Sequence, residues 1–141
     1  MPSSGGCLCG KIRYSYEGEP LKIITCHCGQ CHKATSSAFS TGVFLLDSQF
    51  TLLSDPTVVQ TYSYPQTSDA SIQTLHFCPV CSTVVWRTGA ADKYAGVLSV
   101  QLGTLDDPGV RDRLRPSVEH YVSMRTKWVS KIQSAEQEEG A

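Results

Sequence analysis

The seven cysteines of this 141-residue chain fall into three groups whose spacing suits metal binding. The groups are Cys7-Leu8-Cys9, the C-x-C-x-x-C triplet of Cys26, Cys28 and Cys31, and Cys78-Pro79-Val80-Cys81. Each of the two outer groups can aim two thiolates at one ion, and four thiolates form the closed tetrahedral site that zinc favours. Four small buried apolar side chains are the alternative reading. Two close pairs in one short chain favour metal, so the outer groups predict a structural zinc site.

The triplet offers three ligands, which would leave a tetrahedral ion with one open position for chemistry. Spacing alone leaves two alternatives open. Cys28-x-x-Cys31 could join Cys78-x-x-Cys81 in a zinc-ribbon set of four. His27 or His32 could instead close the triplet, or either histidine could shuttle a proton or donate a hydrogen bond to a ligand sulfur.

The elements that must position these groups are predicted to be short strands. Runs rich in β-branched and aromatic residues recur between turn residues such as Gly18, Pro65 and Pro79. If Cys7 and Cys9 lie on a strand, their side chains share one face. We expect a mainly β single domain with antiparallel strands in a folded-over or sandwich-like sheet stapled by zinc, with little helix. The predicted strand regions are 11–16, 21–26, 37–46, 57–64, 71–77, 82–87 and 94–100.

Helical signal is confined to one turn around Gln30–Thr35 and a short stretch near Met124–Gln133. Residues 1–134 are expected to form the zinc-binding β domain. Residues 135–141 are polar and are expected to form a frayed carboxy-terminal tail.

The charge balance argues against a polyanionic partner. Twelve basic side chains nearly cancel thirteen acidic ones, which excludes a long-range field that recruits nucleic acid or an anionic membrane surface. There is no apolar run of the roughly 18 residues needed to span a bilayer and no signal-peptide pattern at the start. We expect a cytoplasmic protein whose cysteines stay reduced and whose partners are small molecules.

Four segments, in order, resemble the glutathione-dependent formaldehyde-activating family: GGCLCGKIRYSYEG, TCHCGQCHKATSSAFSTGVF, FCPVCSTVVWRTG and LGTLDDPG. The resemblance spans about residues 5–130, and RPSVEHYVSMRTKWV is similar to the family's closing pattern. It implies a mainly β fold and two zinc ions. It also implies that Cys7, Cys9, Cys78 and Cys81 hold the structural zinc, while Cys26, Cys28 and Cys31 hold the catalytic zinc.

The resemblance implies a carbon–sulfur lyase or synthase that joins a thiol, glutathione, to an aldehyde such as formaldehyde to give an S-hydroxymethyl adduct, or the reverse. A free thiol has a pKa of about 8.5 and is mostly protonated at neutral pH, whereas coordination to a metal removes the proton. Arg125 is a candidate for binding a glutathione carboxylate. The competing interpretation is a non-catalytic binding module in which both zinc ions are structural.

Two positions depart from the family pattern. Ser36 and Ser82 stand where many members have glycine, and glycine alone reaches positive φ freely. We expect both substitutions to affect local backbone shape, and Ser36 to lie near the floor of the substrate pocket.

Overall fold

The structure is a computed structural model that describes residues 2–141, and its regular secondary structure is mainly strands in two sheets. Two short helices are α1 (Gly29–Thr35) and α2 (Pro108–Arg113). The strands are β1 (Ser3–Gly6), β2 (Arg13–Tyr16), β3 (Lys22–Cys26), β4 (Ser40–Leu46), β5 (Phe50–Leu52), β6 (Gln60–Pro65), β7 (Ile72–Phe77), β8 (Val84–Gly89), β9 (Val97–Gln101), β10 (Val118–His120) and β11 (Glu136–Gln137).

The small sheet has the order β1-β2-β5, and the large sheet has the order β11-β10-β3-β4-β9-β8-β7-β6. Strand β10 runs parallel to both of its neighbours, and the other pairs are antiparallel. The mainly β prediction is therefore confirmed. Each of the seven predicted strand regions contains a strand, and the sequence analysis overlooked the short strands β1, β5, β10 and β11.

The hydrophobic core lies between the two sheets. Tyr14 of β2 and Val43 and Leu45 of β4 are fully buried, because alternate residues of a strand point to the same face. Phe50 stacks on Tyr14 with ring centroids 5.4 Å apart and packs against Trp86 at 5.1 Å. Burying such side chains contributes about 1.5–3 kcal/mol each. One face of the large sheet is thus used by the core, which leaves its other face free to form a site.

The helix predictions were half right. Helix α1 covers the predicted turn at Gln30–Thr35. The predicted helix near Met124–Gln133 is wrong, because the chain there makes only a 3₁₀ turn at Val122–Met124 and then continues without helix or strand to residue 135. Helix α2 was not predicted from the sequence, because Asp107-Pro108 is equally typical of a turn. The Asp107 side chain accepts a hydrogen bond from the Gly109 N–H and begins this helix.

The polar segment 135–141 was expected to be frayed. It instead adds β11 to the edge of the large sheet. Its backbone N–H groups at Glu136 and Glu138 donate to the carbonyls of Ser117 and Glu119 at 2.9 Å. These bonds satisfy an edge strand that would otherwise be unpaired.

Within residues 2–141, no helix combines the length and the apolar character required to cross a bilayer.

Candidate metal centre and active-site cleft

Cys7, Cys9, Cys78 and Cys81 form one cluster, with all four sulfur atoms within 4.8 Å of one another. The Sγ atoms of Cys9 and Cys7, and those of Cys9 and Cys78, are 3.7 Å apart. Sulfurs that each lie about 2.3 Å from one tetrahedral ion are separated by about 3.8 Å. The donor set and its spacing therefore fit zinc without rearrangement.

The expected strand at Cys7–Cys9 is wrong, because this pair lies in a turn that follows β1. Gly10, with φ of +83°, permits the turn to close. The Ile12 N–H donates to Cys7 Sγ at 3.2 Å; although burial opposes the charge, this bond contributes to a lowered pKa of the Cys7 thiol. The turn is tied to the β7–β8 connection because the Leu8 N–H donates to the Thr83 hydroxyl at 3.1 Å.

Cys26, Cys28 and Cys31 form the second cluster, again with sulfurs within 4.8 Å of one another. Cys26 ends β3, Cys28 is the N-cap of α1, and Cys31 lies in the first helical turn. The Cys31 N–H donates to Cys28 Sγ at 3.4 Å, so the helix start itself brings the last two sulfurs together. The two C-x-x-C pairs lie in separate clusters, and no histidine of residues 2–141 joins either cluster.

The triplet lies in a cleft whose floor is the outer face of the large sheet. This cleft encloses about 80 Å³, is partly open to solvent and is lined by all three triplet cysteines. The neighbouring floor comes from Ser40 and Gly42 of β4 and Ser99 of β9, and Tyr94 and Tyr121 stand at its sides. Cys28 and Cys31 are thus mostly enclosed by protein, while the three cysteines border a cleft that is partly open to solvent.

Arg87 of β8 reaches the triplet from the cleft floor. Its Nη1 donates to Cys31 Sγ at 3.4 Å, while its Nε and Nη2 are buried without any hydrogen-bond partner. Burial opposes the charge on Arg87, but the negative charge of Cys31 raises the pKa of the guanidinium above its ordinary value. The pKa of the Cys31 thiol is far below its ordinary value, first because Cys26 and Cys28 donate hydrogen bonds to it and further because of Arg87.

The two histidines beside the triplet point away from the cleft. His27 is fully buried, and its Nε2 donates to Glu119 Oε1 at 2.7 Å. His32 is half-buried on α1 and does not line the cleft. The predicted proton shuttle or sulfur hydrogen bond from either residue has no support in this arrangement.

Arg125 does not reach the cleft either. Its Nη2 donates to Glu119 Oε2 at 3.1 Å and to the Gln137 side chain. Glu119 is completely buried and also accepts from the Ile132 N–H and from Gln137 Nε2. The predicted binding of a glutathione carboxylate by Arg125 therefore lacks geometric support, because this side chain is already engaged in a structural network.

Arg87 and Glu119 are the main residues of the site region that the sequence analysis missed. Each is a lone charge within a short run of strand-forming residues, VVWRT and SVEHY. A charge in such a run must find a partner or a ligand when it is buried. That signal was present in the sequence, although it did not indicate which partner.

Comparisons with known proteins agree with this architecture. A crystal structure of a Rhodobacter sphaeroides protein superposes with a TM-score of 0.60 at 15% identity, over 80% of this chain and 96% of that chain, which supports the fold alone. No curated protein matches significantly. The profile of one family, described as glutathione-dependent formaldehyde-activating enzyme, matches residues 2–124. With its two cysteine clusters and mainly β fold, this chain belongs to the glutathione-dependent formaldehyde-activating enzyme family.

Proposed function

We propose that this chain is a zinc-dependent carbon–sulfur lyase or synthase that adds a thiol, glutathione, to an aldehyde and also catalyses the reverse cleavage. The observation that carries the proposal is the contrast between the two clusters. Four cysteines form a complete ligand set in one cluster, whereas three cysteines line an open cleft in the other. The family description supports glutathione and formaldehyde as the reactants.

We expect the two clusters to have different tasks. Cys7, Cys9, Cys78 and Cys81 would hold a structural zinc, because four thiolates complete its coordination. Cys26, Cys28 and Cys31 would hold a second zinc with an open position, and the chemistry it would supply there is to favour the thiolate form of a thiol ligand.

The chain itself supplies orientation and a cleft beside the triplet. The three triplet sulfurs are fixed by β3 and by the start of α1, so they do not need to reorganise when a ligand arrives. The cleft is partly open to solvent, so a thiol larger than formaldehyde can extend out of it. Glutathione, which carries peptide groups and carboxylates, suits a cleft lined by polar side chains such as Gln73 and Gln101.

The proposal is tested with Cys28→Ser, which removes one triplet sulfur. Adduct formation from glutathione and formaldehyde is followed by exchange NMR against a buffer control, because the two reactants also combine without help. We expect the rate to fall to that of buffer, while native mass spectrometry shows one retained zinc ion in place of two. A variant as fast as the wild type would exclude catalysis at the triplet.

A thiol-binding measurement separates the enzyme from a binding module. In the cobalt-substituted protein, we expect the thiolate charge-transfer band to shift when glutathione is added, because a thiol enters the triplet site. Two metal ions that are equally inert to chelators and a band unaffected by glutathione would support a module with two structural ions.

A further inference from the structure

We propose that Arg87 is a catalytic residue whose guanidinium binds the carbonyl oxygen of the aldehyde. This inference rests on the proposed function and adds the residue that activates the carbonyl. It is carried by the position of Arg87, which lines the cleft, donates to a triplet sulfur and has two nitrogens without a hydrogen-bond partner.

The position of Arg87 is fixed by the large sheet. Arg87 pairs with Ser99 of β9 and Leu75 of β7, and Ser99 pairs in turn with Phe44 of β4. Neighbouring strands place paired residues on the same face of a sheet. Ser99 and Phe44 both line the cleft, so Arg87 rises from the centre of the cleft floor.

The guanidinium of Arg87 has more donors than the surrounding residues have acceptors for. Its Nη1 donates to Cys31 Sγ, while Nε and Nη2 are buried without an acceptor. A guanidinium carries five N–H donors in a planar fork that recognises oxygen atoms. Leaving donors unpaired in the interior is costly, so an oxygen acceptor that enters the cleft beside the triplet is a favourable partner for this group.

No carboxylate among residues 2–141 provides that acceptor. The ion pairs of the arginines in this range are Arg13 with Asp106 and Arg125 with Glu119, and none includes Arg87. Two residues with a carboxyl group line the cleft, Asp69 and the last residue, Ala141. Asp69 accepts hydrogen bonds from the N–H and hydroxyl of Ser71, and neither residue pairs with Arg87. Arg87 is therefore left with Cys31 and with whatever enters the cleft.

The addition reaction creates an acceptor that a guanidinium fits. The sulfur lone pair of the thiolate forms a bond to the carbonyl carbon, and the π pair of the carbonyl moves to oxygen. That oxygen then takes one proton from water, and the proton released by the thiol neutralises the hydroxide left behind, so the product is the neutral hemithioacetal. The guanidinium donates to the oxygen while it is negative, and interactions that are stronger in the transition state accelerate the reaction.

The test compares Arg87→Met and Arg87→Lys with the wild type. Removing an oxyanion donor costs about 10²–10³-fold in rate, and we expect this loss in kcat/KM for the aldehyde in Arg87→Met. Arg87→Lys should retain only a small part of the wild-type kcat/KM, because an ammonium lacks the planar fork. Zinc content by native mass spectrometry and glutathione affinity from the cobalt charge-transfer band should stay near the wild-type values. Arg113→Met, on exposed helix α2, is the matched control and should retain full activity.

A binding measurement tests the same guanidinium without turnover. Isotope-labelled formate, a planar anion of similar size to the reacting carbonyl group, is titrated into each zinc-loaded protein and followed by carbon NMR. We expect formate to bind the wild type and Arg113→Met, to bind Arg87→Lys weakly, and not to bind Arg87→Met.

The outcomes separate this inference from the proposed function. If the wild type is no faster than buffer, the proposed function fails, and equal formate binding by wild type and Arg87→Met would then also overturn the role of Arg87. Unchanged aldehyde kinetics in Arg87→Met overturn the inference while the enzyme stands. An activity loss matched by an equal loss of glutathione affinity would show that Arg87 only balances the charge of the sulfurs, and this also overturns it.

Discussion

At the scale of single residues, two serines adopt a backbone conformation that suits glycine. Ser36 has φ of 53° and caps the end of α1, and Ser82 has φ of 63° directly after the last C-x-x-C. Both are positions where the sequence analysis expected glycine from the resemblance to the family. Side chains other than glycine pay about 1–2 kcal/mol in the left-handed region. The chain therefore carries local strain next to each cysteine cluster.

Replacing either serine by glycine should stabilise the protein. We expect Ser36→Gly and Ser82→Gly each to raise the free energy of unfolding by up to about 1 kcal/mol, since relief of strain exceeds the extra chain entropy of glycine. Urea unfolding of the zinc-loaded variants measures the change.

Ser37→Gly is the control, because Ser37 is exposed and does not have positive φ. It should destabilise slightly, as glycine adds only entropy to the unfolded chain. Loss of stability in all three variants would contradict the strain argument.

At the scale of elements, Glu119 connects β10, the triplet loop and the carboxy-terminal segment. The buried carboxylate accepts from His27, from the Ile132 N–H and from Gln137, and it pairs with Arg125. His27 lies between two triplet cysteines, so this network holds the loop that presents their sulfurs. The members of this network come from separate elements of the chain, and the single side chain of Glu119 holds them in place.

Glu119→Gln should lower the free energy of unfolding by about 3 kcal/mol, because removing one partner of a buried ion pair leaves the others without a counter-charge. Chemical unfolding of the zinc-loaded protein measures the loss. Glu138→Gln is the matched control, since Glu138 is 43% exposed and pairs with His120 at 3.1 Å. An exposed pair of this kind is worth about 1 kcal/mol or less. Equal effects of the two changes would contradict the role assigned to Glu119.

The same carboxylate predicts a pH dependence of stability. Burial alone would raise the pKa of Glu119, but hydrogen bonds from Gln137, His27 and the Ile132 N–H, with the charge of Arg125, lower it to about 2 from 4.5. A depressed pKa contributes stability that is complete above the unfolded value and is lost as the pH falls through the folded value. We expect the stability difference between wild type and Glu119→Gln to shrink between pH 4.5 and about 2. A difference that stays constant through this window, measured by urea unfolding at each pH, would show that Glu119 keeps its ordinary pKa.

At the scale of the whole molecule, the two clusters constrain very different lengths of chain. The four-cysteine cluster joins Cys9 to Cys78, which are 69 residues apart. The triplet spans only residues 26–31. Closing a long loop restricts the unfolded chain more than closing a short one. The first cluster is therefore expected to stabilise the fold, while the second is expected to contribute little to it.

Cys81→Ser should consequently lower the thermal midpoint much more than Cys28→Ser. We expect Cys81→Ser to lower the free energy of unfolding by about 3 kcal/mol, by analogy with other cross-links of long loops. Circular dichroism melts of both variants, with zinc counted by native mass spectrometry, provide the measurement. The paired design controls for the loss of one thiol, and equal midpoints would contradict the division into a structural and a catalytic ion.

The sequence by itself determined the cysteine groups, the seven main strands, the short helix after the triplet and the positions of Ser36 and Ser82. These features are local, because ligand spacing, strand alternation and turn conformation depend on residues close together in the chain. Only the tertiary structure decided that the cysteines divide into four and three and that segment 135–141 joins the sheet. Arg87 meets Cys31 across 56 residues, and His27 meets Glu119 across 92. Such contacts follow from the order of strands in the large sheet, which no local pattern encodes, and this is why the residues that complete the cleft were visible only in the folded chain.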